Sequence, residues 1–354
     1  MRVPLPLRRT RTGSVRREPE RMYHHQLPRY SDSPVCRLRA LRSVTLSVPD
    51  PAASRDFYHE AWGLTTVEAD GDRFWLRATG PEHHVLAVER ADVNALGRIS
   101  FALATPREVD DAALALDRLG IPLLRTPGPL DDAGGGYGLQ LVDPEGRCLE
   151  LSADTHAVTE QEPAGRRAIP RKIAHVVLNT TDIERTTAFY TQVLGMRVSD
   201  WSERQMSFLR CNSDHHVIAL NRASWPSLNH VAYEMQSLDH FMRGIGGLRA
   251  HGIAPQWGPG RHGPGDNTFS YFTDPAGLVC EYTSEVAQID EDAWLCRTWK
   301  RTPELSDQWG TAGPPTTTVR AAMAGSPDPG HRDRVEARDA DYFYGAGVAA
   351  GAPS

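Results

Sequence analysis

Cysteine is scarce in this 354-residue chain and is not placed for cross-linking. The five (Cys36, Cys148, Cys211, Cys280, Cys296) are an odd number, scattered, with no Cys-x-x-Cys pair, which argues against a disulfide framework and a structural zinc site. Long apolar runs are missing too: no window approaches the ~18 residues of a membrane span. The N-terminus lacks the apolar core of ~7–15 residues that a secretory signal needs. The expected location is cytoplasmic, with no membrane partner. Nor does one sign of charge dominate. Lys+Arg 39 against Asp+Glu 45 gives a net of -6, so the whole chain has no electrostatic case for nucleic acid. The balance is uneven, because eleven arginines against Glu18, Glu20 and Asp32 fall in residues 1–42 and leave the remainder clearly acidic.

What the chain does have is an internal repeat. LRSVTLSVPDPAASRDFYHEAWGL (41–64) lies over IAHVVLNTTDIERTTAFYTQVLGM (173–196) at an offset of 132. His83-His84-Val85-Leu86-Ala87 meets His215-His216-Val217-Ile218-Ala219 at the same offset, and DPEGRCLEL (143–151) meets DPAGLVCEY (274–282) at 131. Two homologous domains follow, 40–154 and 172–285. Around them, residues 1–39, a linker at 155–171 and a tail at 311–354 read as poorly ordered, being rich in Arg, Pro, Gly or small residues without periodicity. Residues 286–310, with Trp294, Trp299 and Trp309, form an extension.

Inside the second domain a strand over 173–178 precedes a helix. Asp182 is its N-cap, Ile183, Thr187, Tyr190 and Leu194 recur at helical spacing, and Gly195 closes it. A further strand and helix are predicted at 229–235 and 238–250. The fold class is therefore α+β, with two βαβββ modules per domain. Modules too small to bury a sheet face alone are expected to pair face to face around a cavity.

Among the 14 histidines, His175 and His230 stand in matching first strands of successive modules, and Glu281 stands in the last strand of the second of these. Side chains alternate along a strand, so three strands curving about one cavity can direct all three to one point. Two imidazoles and a carboxylate with open positions opposite suit non-haem Fe(II). The first domain has Ser43, Arg98 and Glu150 at these places, so the fold does not require the ligands, and only the second domain is expected to bind metal.

These residues bring the chain to a known family. Residues 41–285 resemble the type I extradiol ring-cleavage dioxygenases of the vicinal oxygen chelate superfamily. The most specific element is GPGRHGPGDNTFSYFTDPAGLVCEY (258–282), which is similar to the family signature in its spacing of His262, Tyr271 and Glu281; Ser270 departs from the aliphatic or Phe residue preferred there. The resemblance implies His175, His230 and Glu281 as ligands of Fe(II), with Mn(II) as an alternative. It also implies His216 beside the dioxygen site, and His262 and Tyr271 as partners of a bound catecholate. His216 is preferred over His215 because Val217-Ile218-Ala219 follows it.

The implied activity is cleavage of a catechol by O2 beside its two hydroxyls, giving a 2-hydroxymuconic semialdehyde-type product in aromatic catabolism. The implied assembly is a homo-oligomer, a tetramer by family habit. GPGRHG and the extension look most like the homoprotocatechuate branch, which holds a substrate carboxylate with arginines. Here Trp257 stands before Gly258-Pro259-Gly260, so an uncharged catechol with Trp257 lining the pocket is favoured. A carboxylate-bearing substrate, a glyoxalase-like isomerase or epimerase, and a non-catalytic sequestering protein of the same fold are the alternatives.

Overall fold

The computed structural model describes residues 27, 31, 34–160 and 168–329. The first module comprises β1 (Ala40–Val48), α1 (Pro51–Asp56) running into a π-helical turn (Phe57–Ala61), β2 (Thr65–Asp70), β3 (Arg73–Arg77) and β4 (Leu86–Arg90). The second comprises β5 (Ala95–Ala102), α2 (Pro106–Arg118), β6 (Leu123–Pro129), β7 (Tyr137–Val142) and β8 (Cys148–Ala153). The third repeats the first, with β9 (Lys172–Thr180), α3 (Ile183–Ala188), a second π-helical turn (Phe189–Val193), β10 (Arg197–Ser202), β11 (Met206–Arg210) and β12 (Ile218–Arg222). The fourth has β13 (Ser227–Glu234), α4 (Leu238–Ala250), β14 (Trp257–Arg261), β15 (Thr268–Thr273) and β16 (Val279–Ser284). After it come β17 (Arg297–Trp299), α5 (Pro303–Ser306) and α6 (Thr317–Ala324).

Local chemistry sets the helix starts. Asp50, Thr105, Asp182 and Ser237 each accept a hydrogen bond from the backbone N–H three residues on, satisfying a donor that the first helical turn leaves without a partner. Pro51 and Pro106 open their helices where a missing N–H costs nothing.

The modules of a domain do not pair face to face. They join edge to edge through their first strands, β1 with β5 and β9 with β13, both antiparallel, in sheets ordered β2-β3-β4-β1-β5-β8-β7-β6 and β14-β15-β16-β13-β9-β12-β11-β10-β17. Hydrogen bonding between the first strands gives each module a partner for its open edge, which packing face to face would have left bare. What does pack face to face is helix on sheet between domains. Trp62, at the end of the first π-helical turn, stacks on Tyr282 of β16 at 3.9 Å and meets Tyr233 and Phe272 edge-on, so one core spans both domains.

Two stretches expected to be poorly ordered are packed where they are described. In the N-terminal stretch, Cys36 and Leu38 are buried, and Cys36 N–H donates to Val193 O at 3.2 Å. In the tail, α6 lies against β13, β15 and β16, with Val319 buried against Phe269, Tyr271 and Val279. Composition misled because one well-placed valine and two helix carbonyls suffice: Asn179 Nδ2 donates to Met323 O and Ser227 Oγ to Ala324 O. The rest of the tail expectation, 330–354, and linker residues 161–167 lie outside the described residues. The linker's described end is pinned, since Gly80 N–H donates to Arg171 O at 2.9 Å and Arg171 N–H to Glu234 O at 2.6 Å. No helix among the described residues is long and apolar enough to cross a membrane, and all five cysteines are free.

Candidate metal centre

Strand register brings the three candidate ligands together. Ala232 of β13 is paired with His175 of β9 on one side and Glu281 of β16 on the other. Directly opposed residues share a face, so His175, Ala232 and Glu281 form one row across three strands, and His230, two residues before Ala232, projects from the same face. Alanine in the middle of the row leaves room above its methyl. One ligand atom from each of His175, His230 and Glu281 falls within 4.8 Å of the others, and all three residues are buried.

The donor set fits an ion. Glu281 Oε2 lies 3.2 Å from His175 Nε2 and 3.1 Å from His230 Nε2. Metal bonds of about 2.0–2.2 Å let two ligand atoms of one ion stand about 3 Å apart. Glu281 Oε1 is buried with no hydrogen-bond partner, and His230 Nε2, although close to Glu281 Oε2, makes no aligned hydrogen bond, an expensive arrangement unless something else meets them. His230 is also held from behind, its Nδ1 being 2.8 Å from Asn229 Oδ1, which leaves Nε2 for the ion. Burial alone would raise the Glu281 carboxyl, but the two imidazoles outweigh it and hold the group at about 2, as a ligand requires. Burial pushes the His230 imidazole below its ordinary value, which keeps it neutral.

The other residues singled out in the sequence surround this trio. His216 packs its ring 4.3 Å from that of His175, whereas His215 points away to Asp200, Nε2 to Oδ2 at 3.1 Å. Burial, then the neighbouring His175 and His215, hold His216 well below the usual histidine range. Tyr271 lies edge-on to His230 at 5.1 Å, and its hydroxyl is 3.0 Å from His262 Nε2. His262 Nδ1 is 2.9 Å from Ser306 O, so the segment after β17 reaches the site. Trp257 stacks on Tyr271 at 5.0 Å and donates Nε1–H to Gly313 O at 2.8 Å. Burial drives the Tyr271 phenol well above its normal range, so it stays a hydroxyl.

Residues 40–151 and 172–282 each match the family model of the Glyoxalase/Bleomycin resistance protein/Dioxygenase superfamily. The chain belongs to this superfamily. Among its relatives, Metapyrocatechase 2 of Cupriavidus necator is 30% identical over 315 residues, covering 79% of this chain and 92% of that one. The manganese-dependent 2,3-dihydroxybiphenyl 1,2-dioxygenase of Geobacillus genomosp. 3 is 24% identical, covering 73% and 88%. Among solved structures, the Mn(II)-bound glyoxalase from Novosphingobium aromaticivorans has a TM-score of 0.79 at 39% identity, covering 83% and 97%. Homoprotocatechuate 2,3-dioxygenase from Arthrobacter globiformis has 0.75 at 23%, covering 85% and 95%, a likeness of fold.

A superfamily domain need not carry a metal, and the first one here has filled the place from within. Ser43, Ser100 and Glu150 form the row that corresponds to His175, Ala232 and Glu281. Arg98 takes the position of His230, binds the Asp132 carboxylate and lies 3.3 Å from Glu150 Oε2. Ser100 Oγ and Gln140 Nε2 donate to the two Glu150 oxygens. A guanidinium stands where an ion would, and both Glu150 oxygens have protein donors where Glu281 leaves Oε1 orphaned. Sequence reasoning missed Ala232 and Asp200. Ala232 becomes visible once β9, β13 and β16 are aligned two residues from His230; for Asp200 the signal is the acidic Glu68 at the repeat offset.

Proposed function

We propose that this chain is a metal-dependent extradiol dioxygenase that opens an uncharged catechol with O2 beside its two hydroxyls. The observation that carries the reading is the convergence of His216, His262 and Tyr271 on His175, His230 and Glu281. Fe(II), with Mn(II) as the alternative, would be held by these three residues and would supply the redox link between a chelated catecholate and dioxygen.

The chain's own groups have complementary tasks in this reading. His216, neutral and beside His175, offers a nitrogen that accepts a catechol hydroxyl hydrogen and can later give it back. The Tyr271 hydroxyl and His262 Nε2 form a polar pair for the second catecholate oxygen. Trp257, stacked on Tyr271, gives the ring a flat apolar wall. Arg261, next to His262, is tied to Asp266 at 3.0 Å and Glu285 at 2.6 Å, and is not free to receive a substrate carboxylate. That favours an alkyl- or aryl-substituted catechol over a carboxylated one.

The 39% identity to the Novosphingobium aromaticivorans glyoxalase supports a second reading, metal-dependent isomerisation by proton transfer. The two separate on oxygen. The full chain reconstituted anaerobically with Fe(II) is mixed in air with catechol, 3-methylcatechol, 2,3-dihydroxybiphenyl or homoprotocatechuate. A yellow product with one O2 consumed per catechol supports ring cleavage; bound iron with no O2 uptake from any catechol overturns it. His230→Ala is expected to abolish iron retention, and His216→Ala to keep iron and slow turnover. By the family resemblance the proposal extends to a cytoplasmic homo-oligomer, a tetramer, which light scattering tests.

A further inference from the structure

We infer that Asp200 and His215 are positioning residues that fix the tautomer and orientation of His216, an inference that rests on the role proposed above for His216. Asp200 is completely buried on β10. Its Oδ2 accepts from Trp299 Nε1 at 2.7 Å and lies 3.1 Å from His215 Nε2, and its Oδ1 accepts from Arg297 N–H at 2.7 Å. A carboxylate only accepts, so the hydrogen sits on His215 Nε2. His215 Nδ1 in turn lies 3.1 Å from His216 Nδ1. A neutral imidazole carries a single ring hydrogen, so with that hydrogen on Nε2 His215 presents a lone pair at Nδ1. His216 must then carry its hydrogen on Nδ1 and keep a bare Nε2. That is the form able to accept a hydroxyl hydrogen. The line Asp200, His215, His216 thus imposes on an imidazole near the substrate the constraint that outer partners impose on metal-bound histidines.

Two further observations point the same way. The first domain carries the same line at the repeat offset, Glu68, His83 and His84, but without metal ligands it is slack: His83 Nε2 is 3.9 Å from Glu68 Oε2, and Glu68 is 51% exposed. Where the ligands are present, Asp200 and His215 are both 0% exposed and in hydrogen-bond contact. The histidine pair is also braced from the signature segment. A Cβ on Gly265 would come within 3.1 Å of His216 Cε1 and 3.3 Å of His215 Nδ1.

The test reads the tautomer directly. The full chain, labelled with 15N-histidine and loaded with Zn(II) as a diamagnetic ion, gives the ring-nitrogen shifts of His216, assigned with His216→Ala. Hydrogen on Nδ1 and a bare Nε2 are expected; hydrogen on Nε2 overturns the inference. His215→Phe is expected to give a mixture of tautomers and, with iron, to lower kcat about 10–100-fold with KM and iron content near wild type. His215→Asn, whose amide oxygen falls near the Nδ1 position, is expected to restore the single tautomer and most of kcat. If His215→Phe keeps one tautomer and full kcat, the inference fails. Should the wild type cleave no catechol, the functional reading fails while the spectrum still decides the tautomer.

Discussion

Tyr58 of the first domain donates its hydroxyl hydrogen to the Asp274 carboxylate of the second, at 3.3 Å and out of reach of water. The relation is returned 132 residues later, where Tyr190 of the second domain donates to Asp143 of the first at 3.2 Å. The two aspartates open the same four-residue turn in the two copies. They differ in their company. Asp143 has the buried Arg147 guanidinium at 3.3 Å, whereas Asp274 has Leu278 at the matching position and, among the described residues, accepts from Tyr58 and backbone N–H groups.

That asymmetry sets a pH dependence of stability. Burial pushes the Asp274 carboxyl up to about 6, with the hydrogen bonds opposing it. An unfolded aspartate titrates near 3.9. Between those values the folded chain binds more protons than the unfolded one, so this group's contribution falls as pH rises from about 4 to about 6 and stays low above. The loss amounts to about 3 kcal/mol. Asp274→Asn keeps an acceptor and removes the titration. Urea midpoints at pH 4.5 and 7.5 are expected to show the variant gaining on the wild type at the higher pH; a gap that does not change with pH would refute this.

Ala232 is expected to be indispensable for metal and dispensable for fold. A leucine there would project between His175 and Glu281, into the space the ion needs. Ala232→Leu should leave the far-UV circular dichroism unaltered and reduce metal content, by elemental analysis, from about one ion per chain to almost none. In the wild type, chelation should lower Tm, since an ion bound only by the folded state stabilises it by mass action. A variant that binds iron normally would mean that the row of side chains across β9, β13 and β16 is not the floor of the site.

Arg98 should behave as a resident cation. Arg98→Ala leaves Asp132 and Glu150 buried without it, and a loss of about 3–5 kcal/mol in unfolding free energy is expected. The double change Ser43→His with Arg98→His rebuilds two imidazoles opposite Glu150. Elemental analysis is expected to find about two metal ions per chain in place of one. Stoichiometry unaltered by the double change would count against the equivalence of the two rows.

Gly265 combines a φ of +81° with close approach to both members of the histidine pair. Gly265→Ala introduces backbone strain of about 1 kcal/mol and pushes on the His216 ring. The expected outcome is a fall in kcat of about tenfold or more with iron content unaltered. Loss of iron in parallel with activity would show the segment supporting the ligands instead.

Much of this arrangement is legible in the sequence because the repeat supplies its own register. The helix expected at 238–250 is α4, Leu238–Ala250, and the cap at Asp182 is in place. The trio His175, His230 and Glu281 is legible for the same reason: matching strands put matching residues on matching faces. Edge-to-edge pairing is not legible, because alternation along a strand says which face is buried and nothing about which neighbour supplies the hydrogen bonds. Nor is α6, whose stability comes from Val319 meeting Phe269 and from side chains of β9 and β13 meeting its last carbonyls, contacts that local composition does not encode. Ser270, the departure noted in the signature, turns out to be buried with its Oγ unpartnered, so a residue without a hydroxyl would suit the position better.

The exchange of helices between the two halves has a consequence for synthesis. Trp62 leaves the ribosome early, but the rings that cover it are Tyr233, Phe272 and Tyr282, and Tyr282 follows 220 residues later. At about 5–20 residues per second, its indole waits roughly 10–45 s for its partner. The first half, complete as a sequence repeat, is therefore incomplete as a folding unit. Nascent chains halted between the domains should expose this tryptophan to quenchers and chaperones, and release it from both only when β16 has been made.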